Sequence, residues 1–243
     1  MIYEEKFKMG LKDVEKDNKL TNKAILEFLE NIGAYHSDKV GYGANDSSQT
    51  GFSWVLLEWK VKVINRPNYG QVLNIKTWGK GMSKFFSYRD FEIYDETGRL
   101  CVIATSKWAL IDTTKRKIAR ISETMIEKYE PEEKNVFPDR EIEKINIPEK
   151  YMSTITYETK RKDIDMVGHM HNLYYLDLAY EALPEDVYEK RPFDFFRISY
   201  KKEIKLGEIV KCGYANTDVG KHVVGITSED GSVLHATVEL HKK

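Results

Sequence analysis

The order of secondary-structure signals repeats once along the chain, and this repeat limits the fold more than any other feature of the sequence. A helical pattern of apolar residues over about 20–36 recurs over 172–183, and strand-like runs follow each of them. The turn glycines Gly98 and Gly231, 133 residues apart, close equivalent hairpins in the two halves. The sequence therefore predicts two similar units in tandem rather than one large domain.

Each predicted unit consists of one long helix followed by four or five antiparallel strands. In the first half Thr21 is the expected N-cap, and the apolar helix face is formed by Ile25, Phe28, Leu29 and Ile32. A helix that lies across a curved antiparallel sheet buries the apolar faces of both elements. We therefore expect an α+β fold.

Alternating apolar residues predict the buried face of the first strand after each helix. In the first half they are Val55, Leu57, Trp59, Val61 and Val63, and in the second half Phe196, Ile198 and Tyr200. Residues 131–150 are rich in Glu, Lys and Pro and lack periodicity. They are predicted to link a domain over 1–130 to a domain over 151–243.

The charge balance excludes the global basic field that draws proteins to nucleic acid. The chain has 243 residues, with 38 basic and 39 acidic side chains. No apolar run reaches the roughly 18 residues of a membrane span, and the N-terminus lacks the apolar core of a signal peptide, so we expect a cytoplasmic protein with no membrane partner. Cys101 and Cys212 form neither a disulfide framework nor a metal-ligand spacing, and both are expected in the core.

An acid, a glycine turn and a histidine precede the second helix. They lie within residues 163–172, Asp-Ile-Asp-Met-Val-Gly-His-Met-His-Asn. Asp165, Gly168 and His169 therefore stand at a helix start, where free backbone N–H groups and the helix dipole can hold a developing negative charge. Few structural roles need this combination, so the stretch is the strongest candidate for a catalytic site.

The motif and the tandem repeat together resemble the acyl-acyl-carrier-protein (acyl-ACP) thioesterases, which have two tandem hot-dog domains, each a long helix wrapped by an antiparallel sheet. Residues 163–172 are similar to the family's catalytic stretch, D-x-D-x-N-x-H-[VM]-N-N, and residues 200–203 (Tyr-Lys-Lys-Glu) to the strand that carries its catalytic glutamate. The resemblance implies hydrolysis of fatty acyl-ACP to free fatty acid and carrier thiol, with no cofactor and no metal. It also implies that the first half, whose sequence contains no acid-glycine-histidine turn, is non-catalytic and contributes the acyl pocket.

The resemblance places Asp165, His169 and Glu203 in the catalytic site. We expect Glu203 to act as general base on water and His169 to polarise or position the reacting group, while Asp165 holds either the imidazole or the helix start. The backbone N–H near Gly168 is expected to contribute to the oxyanion site. Asp163 is expected to order the turn.

Two positions depart from the family pattern. Val167 stands where the family has a catalytic Asn. Its side chain cannot donate a hydrogen bond, an effect that could lower the rate by roughly two or three orders of magnitude. His171 replaces the first Asn of the pair that ends at Asn172, and its imidazole is a candidate substitute for the missing amide.

The acyl pocket and the carrier surface are expected from side chains outside the motif. The pocket candidates are Ile25, Phe28, Leu29, Ile32, Trp54 and Leu56. The acidic carrier would meet basic patches at 115–117 with Arg120, at 160–162, and at Lys201, Lys202 and Lys205. A tandem chain supplies the pairing of two hot-dog domains internally, so monomer and homodimer are both open.

Other functions also remain open from the sequence. Val167 makes a non-catalytic acyl-binding protein credible. A hot-dog hydratase or dehydratase also pairs an acid with a histidine, and an acyl-CoA thioesterase would differ only in the carrier. Release of free thiol from acyl-ACP distinguishes hydrolysis of the carrier substrate from the first two of these.

Overall fold

The chain divides into two units, Met1–Ile142 and Glu143–Lys243, in which the same elements follow one another in the same order. The computed structural model describes residues 1–139, 142–218 and 220–242. None of the helices in these ranges combines the length and the apolarity needed to cross a bilayer.

Unit 1 begins with a strand, continues with the main helix and then forms the other strands. Its strands are β1 (Tyr3–Lys8), β2 (Phe52–Val63), β3 (Val72–Met82), β4 (Phe86–Tyr94), β5 (Leu100–Asp112) and β6 (Lys117–Ile118). Its helices are α1 (Asn22–Lys39), α2 (Ser47–Thr50) and α3 (Glu123–Tyr129), with a 3₁₀ turn at Leu11–Asp13. The strands pair in the order β1-β3-β4-β5-β2, all antiparallel, and β6 pairs with β5.

Unit 2 repeats this plan with shorter elements. Its strands are β7 (Ser153–Glu158), β8 (Phe195–Tyr200), β9 (Ile209–Asp218), β10 (Lys221–Ser228) and β11 (Leu234–His241). Its helices are α4 (Asn172–Glu181) and α5 (Glu185–Tyr188), with a 3₁₀ turn at Arg161–Asp163. The strands pair in the order β8-β11-β10-β9-β7, again antiparallel, which matches β2-β5-β4-β3-β1 of unit 1 element by element.

The main helix of unit 1 starts and packs as its sequence predicts. The Thr21 hydroxyl accepts a hydrogen bond from the backbone N–H of Ala24 at 3.0 Å, which confirms the N-cap. Ile25, Leu29 and Ile32, one helical turn apart, are fully buried, and α1 contacts β1 and β3. The apolar stripe of the helix thus forms one wall of the core.

The predicted face of β2 is wrong in the first part of the strand. The register against β5 shifts between Leu56 and Glu58, so one extra residue stands in β2 at this point. Trp59 and Val61 after the shift are fully buried, whereas Val55 before it is 43% exposed and Leu56 takes its place in the core. A bulge shifts the alternation of buried and exposed side chains by one residue. A prediction from periodicity assumes an unbroken alternation and therefore assigns the wrong face before the bulge. The equivalent prediction for β8 is confirmed, since its three apolar residues are buried.

Part of the segment predicted as a linker packs against the sheet of unit 1. The Trp78 indole N–H donates to the Lys134 carbonyl at 3.0 Å, and the Val136 N–H donates to the buried carboxylate of Asp90 at 2.9 Å. Asp90 also pairs with the buried ammonium of Lys80 at 3.3 Å. The predicted linker, 131–150, includes residues 140 and 141, which lie outside the described residues.

Both cysteines are core residues, as their positions in strand-like runs predict. Cys101 and Cys212 are free thiols with no exposed surface. Burial raises the pKa of both, that of Cys212 to about 12. A thiol held in its protonated form is a poor nucleophile. The described residues also contain no group of three or more His, Cys, Asp or Glu arranged to hold a metal ion.

Candidate active site

Residues 165–169 form a tight turn that its own acid holds together. Gly168 has a φ of +86°, a left-handed conformation that glycine adopts without steric cost. The Asp165 Oδ1 accepts hydrogen bonds from the backbone N–H groups of Val167 at 2.9 Å and His169 at 3.2 Å. The Gly168 N–H donates to the Asp165 carbonyl at 3.1 Å. The described hydrogen bonds of the Asp165 carboxylate therefore go to the turn backbone rather than to the imidazole of His169.

Helix α4 starts directly after the turn, and a histidine caps it. His171 Nδ1 accepts from the backbone N–H of Leu173 at 3.3 Å, which satisfies one of the free donors of the first helical turn. A neutral imidazole that accepts through Nδ1 carries its proton on Nε2. The cap thus fixes the orientation of the ring and selects its tautomer.

Asp163 is a buried acid that orders the approach to the turn. Its carboxylate accepts from the Lys160 backbone N–H at 2.8 Å, the Tyr157 hydroxyl at 2.6 Å and the Lys162 ammonium at 2.8 Å. Burial raises the pKa of Asp163, but the hydrogen bonds from Lys162, Tyr157 and Lys160 outweigh it, and the net shift is downward. These contacts agree with the ordering role expected for this residue.

The chain segment after β8 runs antiparallel to the end of the turn. His169 forms an isolated bridge with Lys205, and the Met170 N–H donates to the Ile204 carbonyl at 2.8 Å. In this register residue 171 lies opposite residue 203, and residue 169 is its diagonal neighbour.

This pairing brings His169, His171 and Glu203 to the same face. Met170 and Ile204, the alternate residues, point into the core with 3% and 0% exposure. Successive side chains of an extended segment point to opposite sides, so the two histidines and the glutamate share the side that faces solvent. Glu203 is exposed, and both histidines are partly buried.

The pKa of Tyr175 on α4 is affected by the negative charges of acids around the turn. Burial raises the pKa of Tyr175, the backbone N–H of Ile204 partly offsets this, and the negative charges of Glu203, Glu208 and Asp165 raise it further. Coulomb interactions weaken with distance. The negative charges of Glu203 and Asp165 therefore both act on this phenol.

Unit 1 contains the same backbone turn 150 residues earlier. The equivalent residues are Glu15 for Asp165, Asn18 for Gly168 and Lys19 for His169. Asn18 has a φ of +60° and donates its N–H to the Glu15 carbonyl at 2.9 Å, while the Glu15 N–H donates to the Lys19 carbonyl at 3.1 Å. The sequence of this half shows no acid-glycine-histidine turn, because only the acidic character of the first residue is shared. The backbone conformation is nevertheless the same.

The position of Glu203 is taken by an arginine in unit 1. The Leu20 N–H donates to the Pro67 carbonyl at 3.0 Å, the counterpart of the pairing described for unit 2, and Arg66 precedes Pro67 as Glu203 precedes Ile204. Arg66 Nη1 donates to the Leu20 carbonyl at 2.7 Å and to Asn22 Oδ1 at 2.9 Å. Of the two turns, the one in unit 2 therefore combines a carboxylate with imidazoles.

Unit 1 also contains a cavity of about 160 Å³ between α1 and the strands. Its wall includes aromatic rings and polar groups, among them Ser37, Trp54, Ser87, Arg89, Trp108 and Tyr129. Of the six residues expected to form the acyl pocket, Trp54 lines this cavity. The other five are buried in the core, where they are at most 6% exposed.

Apart from Trp54, the sequence does not indicate the polar groups in and around the cavity wall. The Trp54 indole N–H donates to the Tyr129 hydroxyl, which donates to Ser37 Oγ, both at 3.0 Å. The buried Arg89 guanidinium contacts His36 Nδ1 at 2.7 Å, and burial lowers the pKa of Arg89. These side chains come from segments up to 92 residues apart, so no local pattern marks them as one site.

An exposed apolar tip with lysines around it borders the turn of unit 2. Met166, Val167 and Leu206 are 88%, 67% and 54% exposed. The neighbouring lysines Lys201, Lys202 and Lys205 are also exposed. Lys160 and Lys162, from a second predicted basic patch, pair with Glu158 and Asp163.

Two family models together match most of the chain. The acyl-ACP thioesterase N-terminal domain matches residues 1–129, and the acyl-ACP thioesterase C-terminal domain matches residues 146–239. The chain is 24% identical over 227 residues to oleoyl-acyl carrier protein thioesterase 1, chloroplastic, of Arabidopsis thaliana, covering 86% of this chain and 62% of the relative. It is 23% identical over 226 residues to dodecanoyl-[acyl-carrier-protein] hydrolase, chloroplastic, of Cinnamomum camphora, covering 87% of this chain and 58% of the relative.

Solved structures of similar proteins show the same fold. An acyl-ACP thioesterase from Bacteroides thetaiotaomicron superposes with a TM-score of 0.88 at 21% identity, covering 99% of this chain and 97% of that one. The 12:0-ACP thioesterase from Umbellularia californica gives a TM-score of 0.87 at 18% identity, covering 99% and 96%. The antiparallel strands and few helices fit a hot-dog-like fold. With both family models matched in order along its length, the chain belongs to the acyl-ACP thioesterase family.

Proposed function

We propose that the protein hydrolyses a fatty acyl thioester of acyl carrier protein and releases a free fatty acid and the carrier thiol. The observation that carries this proposal is the antiparallel pairing of residues 169–170 with 204–205, which puts Glu203 and two histidines on one solvent-facing side. Family membership supplies the reaction class. The printed names of the relatives, an oleoyl-ACP thioesterase and a dodecanoyl-ACP hydrolase among them, support a fatty acyl substrate.

Glu203 is the general base of the proposed reaction. Its carboxylate takes a proton from water while the water oxygen attacks the acyl carbon, and the carbonyl oxygen gains the negative charge. When the tetrahedral intermediate collapses, the C–S bond breaks and the proton passes to the departing sulfur. The products are a carboxylic acid and a thiol, with every atom of the water accounted for.

We assign the oxyanion donor to a side chain, because the backbone N–H groups of Val167, Gly168 and His169 already donate to Asp165. The N–H of Gly168, a donor expected from the sequence, bonds to the Asp165 carbonyl. We assign the polarisation of the thioester carbonyl to the imidazole of His169. Asp165 and Gly168 act by holding this turn in shape.

We assign to Asn172 the orientation of the Glu203 carboxylate, and the repeat supports this assignment. In unit 1 the equivalent Asn22 accepts a hydrogen bond from Arg66, the residue at the Glu203 position, at 2.9 Å. An asparagine amide can donate as well as accept. Glu203 takes the place of Arg66 in unit 2, and we propose that the Asn172 amide donates to its carboxylate when substrate is bound.

Val167 is the observation that favours a second candidate, an acyl-binding protein without hydrolysis. Its side chain is 67% exposed and offers no hydrogen bond, and its backbone N–H is donated to Asp165. Under the primary proposal His171 compensates, because its Nδ1 cap sets the proton on Nε2 of a ring that lies opposite Glu203. Purified protein that binds acyl-ACP and releases no thiol would support the second candidate.

The proposed carrier surface is the apolar tip with its lysines. Acyl carrier proteins are acidic, so an exposed Met166 and Leu206 beside Lys201, Lys202 and Lys205 offer apolar contact within a basic rim. We expect the reversal K202E/K205E to raise KM at least about fivefold at low salt, while the wild-type KM rises as salt is added. The matched control is K115E/K117E in the first predicted patch, which should leave KM unchanged.

The two units are proposed to be tandem hot-dog domains, with unit 1 as the acyl-binding, non-catalytic one. The cavity of about 160 Å³ supports this role, and its polar wall sets which acyl groups it accepts. A homodimer and a cytoplasmic location stay predictions, which light scattering of the purified chain and cell fractionation check.

A thiol-release assay across acyl-ACP chain lengths tests the function. The variant Glu203→Gln should lower kcat about a hundredfold or more, the range for loss of a general base. Glu208→Gln is the matched control, since Glu208 is another exposed acid of the same segment and its bond to the Lys205 N–H at 3.0 Å survives as an amide acceptor. Normal turnover in Glu203→Gln would remove the base assignment, and absence of release by the wild type would remove the hydrolase.

A further inference from the structure

His235, a buried histidine outside the motif, holds the segment that carries Glu203. It lies on β11 and is 5% exposed. Its Nδ1 is 3.2 Å from the carbonyl oxygen of Lys202 and 3.2 Å from that of Glu203. A carbonyl oxygen only accepts, so Nδ1 carries the proton and donates to both.

The backbone of the same residue binds the segment a second time. The N–H groups of Lys201 and Lys202 donate to the His235 carbonyl at 2.8 and 3.2 Å. One residue therefore makes four hydrogen bonds to the three residues that end at Glu203. On the other side the Met170 N–H donates to the Ile204 carbonyl, so the backbone around Glu203 is held from both directions.

Comparison with unit 1 separates the described hydrogen bonds that both units share from those present only in the unit with the glutamate. There Ile64 and Asn65 donate their N–H groups to the Cys101 carbonyl at 2.8 and 3.1 Å, so Cys101 stands at the position of His235. The Cys101 thiol donates to the Arg99 carbonyl and makes no described bond to the segment that ends at Arg66. The backbone bonds belong to both units, whereas the ring donor occurs in the one that carries the acid.

We propose that His235 is a positioning residue for the general base: its Nδ1–H fixes the carbonyls of residues 202 and 203 and thereby the direction in which the Glu203 side chain leaves the backbone. The inference rests on the proposed hydrolase function. Displacement of a catalytic group by about 1 Å costs up to about a hundredfold in rate. His235 itself touches neither substrate nor water in this scheme.

The deciding variants are His235→Cys, which installs the residue of unit 1, and His235→Asn, which keeps an N–H donor the same number of bonds from the backbone. We expect His235→Cys to lower kcat about tenfold or more with KM within about twofold of wild type, and His235→Asn to keep kcat within about threefold. His222→Cys is the matched control, because His222 is equally buried at 6% and bonds through Nδ1 to the Tyr214 hydroxyl at 3.0 Å, away from the segment. It should lose stability and keep kcat.

Amide exchange gives a readout that does not depend on activity. The Met170 N–H should exchange about tenfold faster in His235→Cys and at the wild-type rate in His235→Asn, while the Val238 N–H in the core of β11 is unchanged in both. Wild-type kcat in His235→Cys, or equal losses in the Cys and Asn variants, would overturn the positioning role. A wild type that releases no thiol would instead overturn the hydrolase, and the Met170 exchange rates would still decide whether His235 holds the segment.

Discussion

Replacement of Gly168 by alanine should destabilise the protein through backbone conformation alone. The φ of Gly168 is +86°, and a Cβ built at this position has no heavy atom within 4 Å. The left-handed conformation costs an alanine about 1–2 kcal/mol, and the stiffer unfolded chain returns about 0.5 kcal/mol. The expected net loss is about 1 kcal/mol of unfolding free energy, with no steric contribution.

The equivalent position of unit 1 supplies the comparison. Asn18 holds the same turn at a φ of +60°, and asparagine tolerates this region better than other non-glycine residues. Gly168→Asn should therefore cost about half as much as Gly168→Ala or less. Asn18→Ala should cost about half as much as Gly168→Ala or more, because it places alanine in the same conformation while asparagine already bears part of the cost.

Urea unfolding and steady-state kinetics on these three variants check the reasoning. Gly168→Ala should lower kcat as well as stability, because the turn carries His169, whereas Asn18→Ala should lower stability and leave kcat unchanged. Equal free energies of unfolding for Gly168→Ala and Gly168→Asn would refute the backbone argument. A fall in kcat for Asn18→Ala equal to that of Gly168→Ala would refute the assignment of catalysis to unit 2.

Three further predictions concern the acyl cavity, the loss of folding stability at low pH, and Val167 in the motif. Ser87→Leu adds about two non-hydrogen atoms to the cavity wall and should shorten the preferred acyl chain by about two methylenes, since one methylene is worth about 1–3 kcal/mol; product analysis over chain lengths measures it. Burial raises the pKa of Glu239, but bonds from His241 and Lys221 and the charge of Arg197 lower it to about 2, so Glu239 stabilises the fold above about pH 4.5 and this contribution is lost as pH falls to 2. Glu239→Gln should therefore reduce the pH dependence of unfolding in this window by about one proton, and an unchanged slope would contradict it. Val167→Asn should raise kcat at least about tenfold if the valine weakens the site, whereas an unchanged rate would mean that His171 already supplies the donor.

The sequence predicts those parts of the fold that depend on neighbouring residues. The Thr21 cap, the apolar stripe of α1 and the buried face of β8 all follow from spacings within one element, and all three are confirmed. The bulge in β2 does not, because an extra residue is defined by the partner strand and leaves no mark in the alternation. The sequence does not predict the strands that precede each main helix, β1 and β7. The sequence of β1 is Tyr-Glu-Glu-Lys-Phe-Lys. It is an edge strand, and edge strands often carry charged side chains, so the apolar alternation that predicts a strand is weak.

In the candidate site, too, the sequence predicts residues that are close along the chain and misses those that only the fold brings together. The turn residues were found because they lie within ten positions of one another, and the resemblance to a family supplied Glu203 from a strand far along the chain. His235 had no such support, because its relation to Glu203 exists only after β11 has paired with β8. One signal was available for the turn in unit 1: Asp13 and Asn22 recur as Asp163 and Asn172 at the same separation of 150 residues.

Under the proposed function, the backbone conformation of the turn does not by itself suffice for the chemistry, because unit 1 has the same conformation with different side chains. Both turns close on the same backbone hydrogen bonds, and a helix follows each of them. In unit 1, however, Lys19 and Arg66 take the positions of His169 and Glu203, and their side chains donate hydrogen bonds but do not accept them. A guanidinium does not release its proton at any pH at which enzymes work, so Arg66 cannot act as a general base. Arg66 also binds the Leu20 carbonyl and Asn22 at the start of α1. Conversion of this turn to a working site would therefore need more than Lys19→His and Arg66→Glu, because the second change removes two hydrogen bonds that hold the helix start.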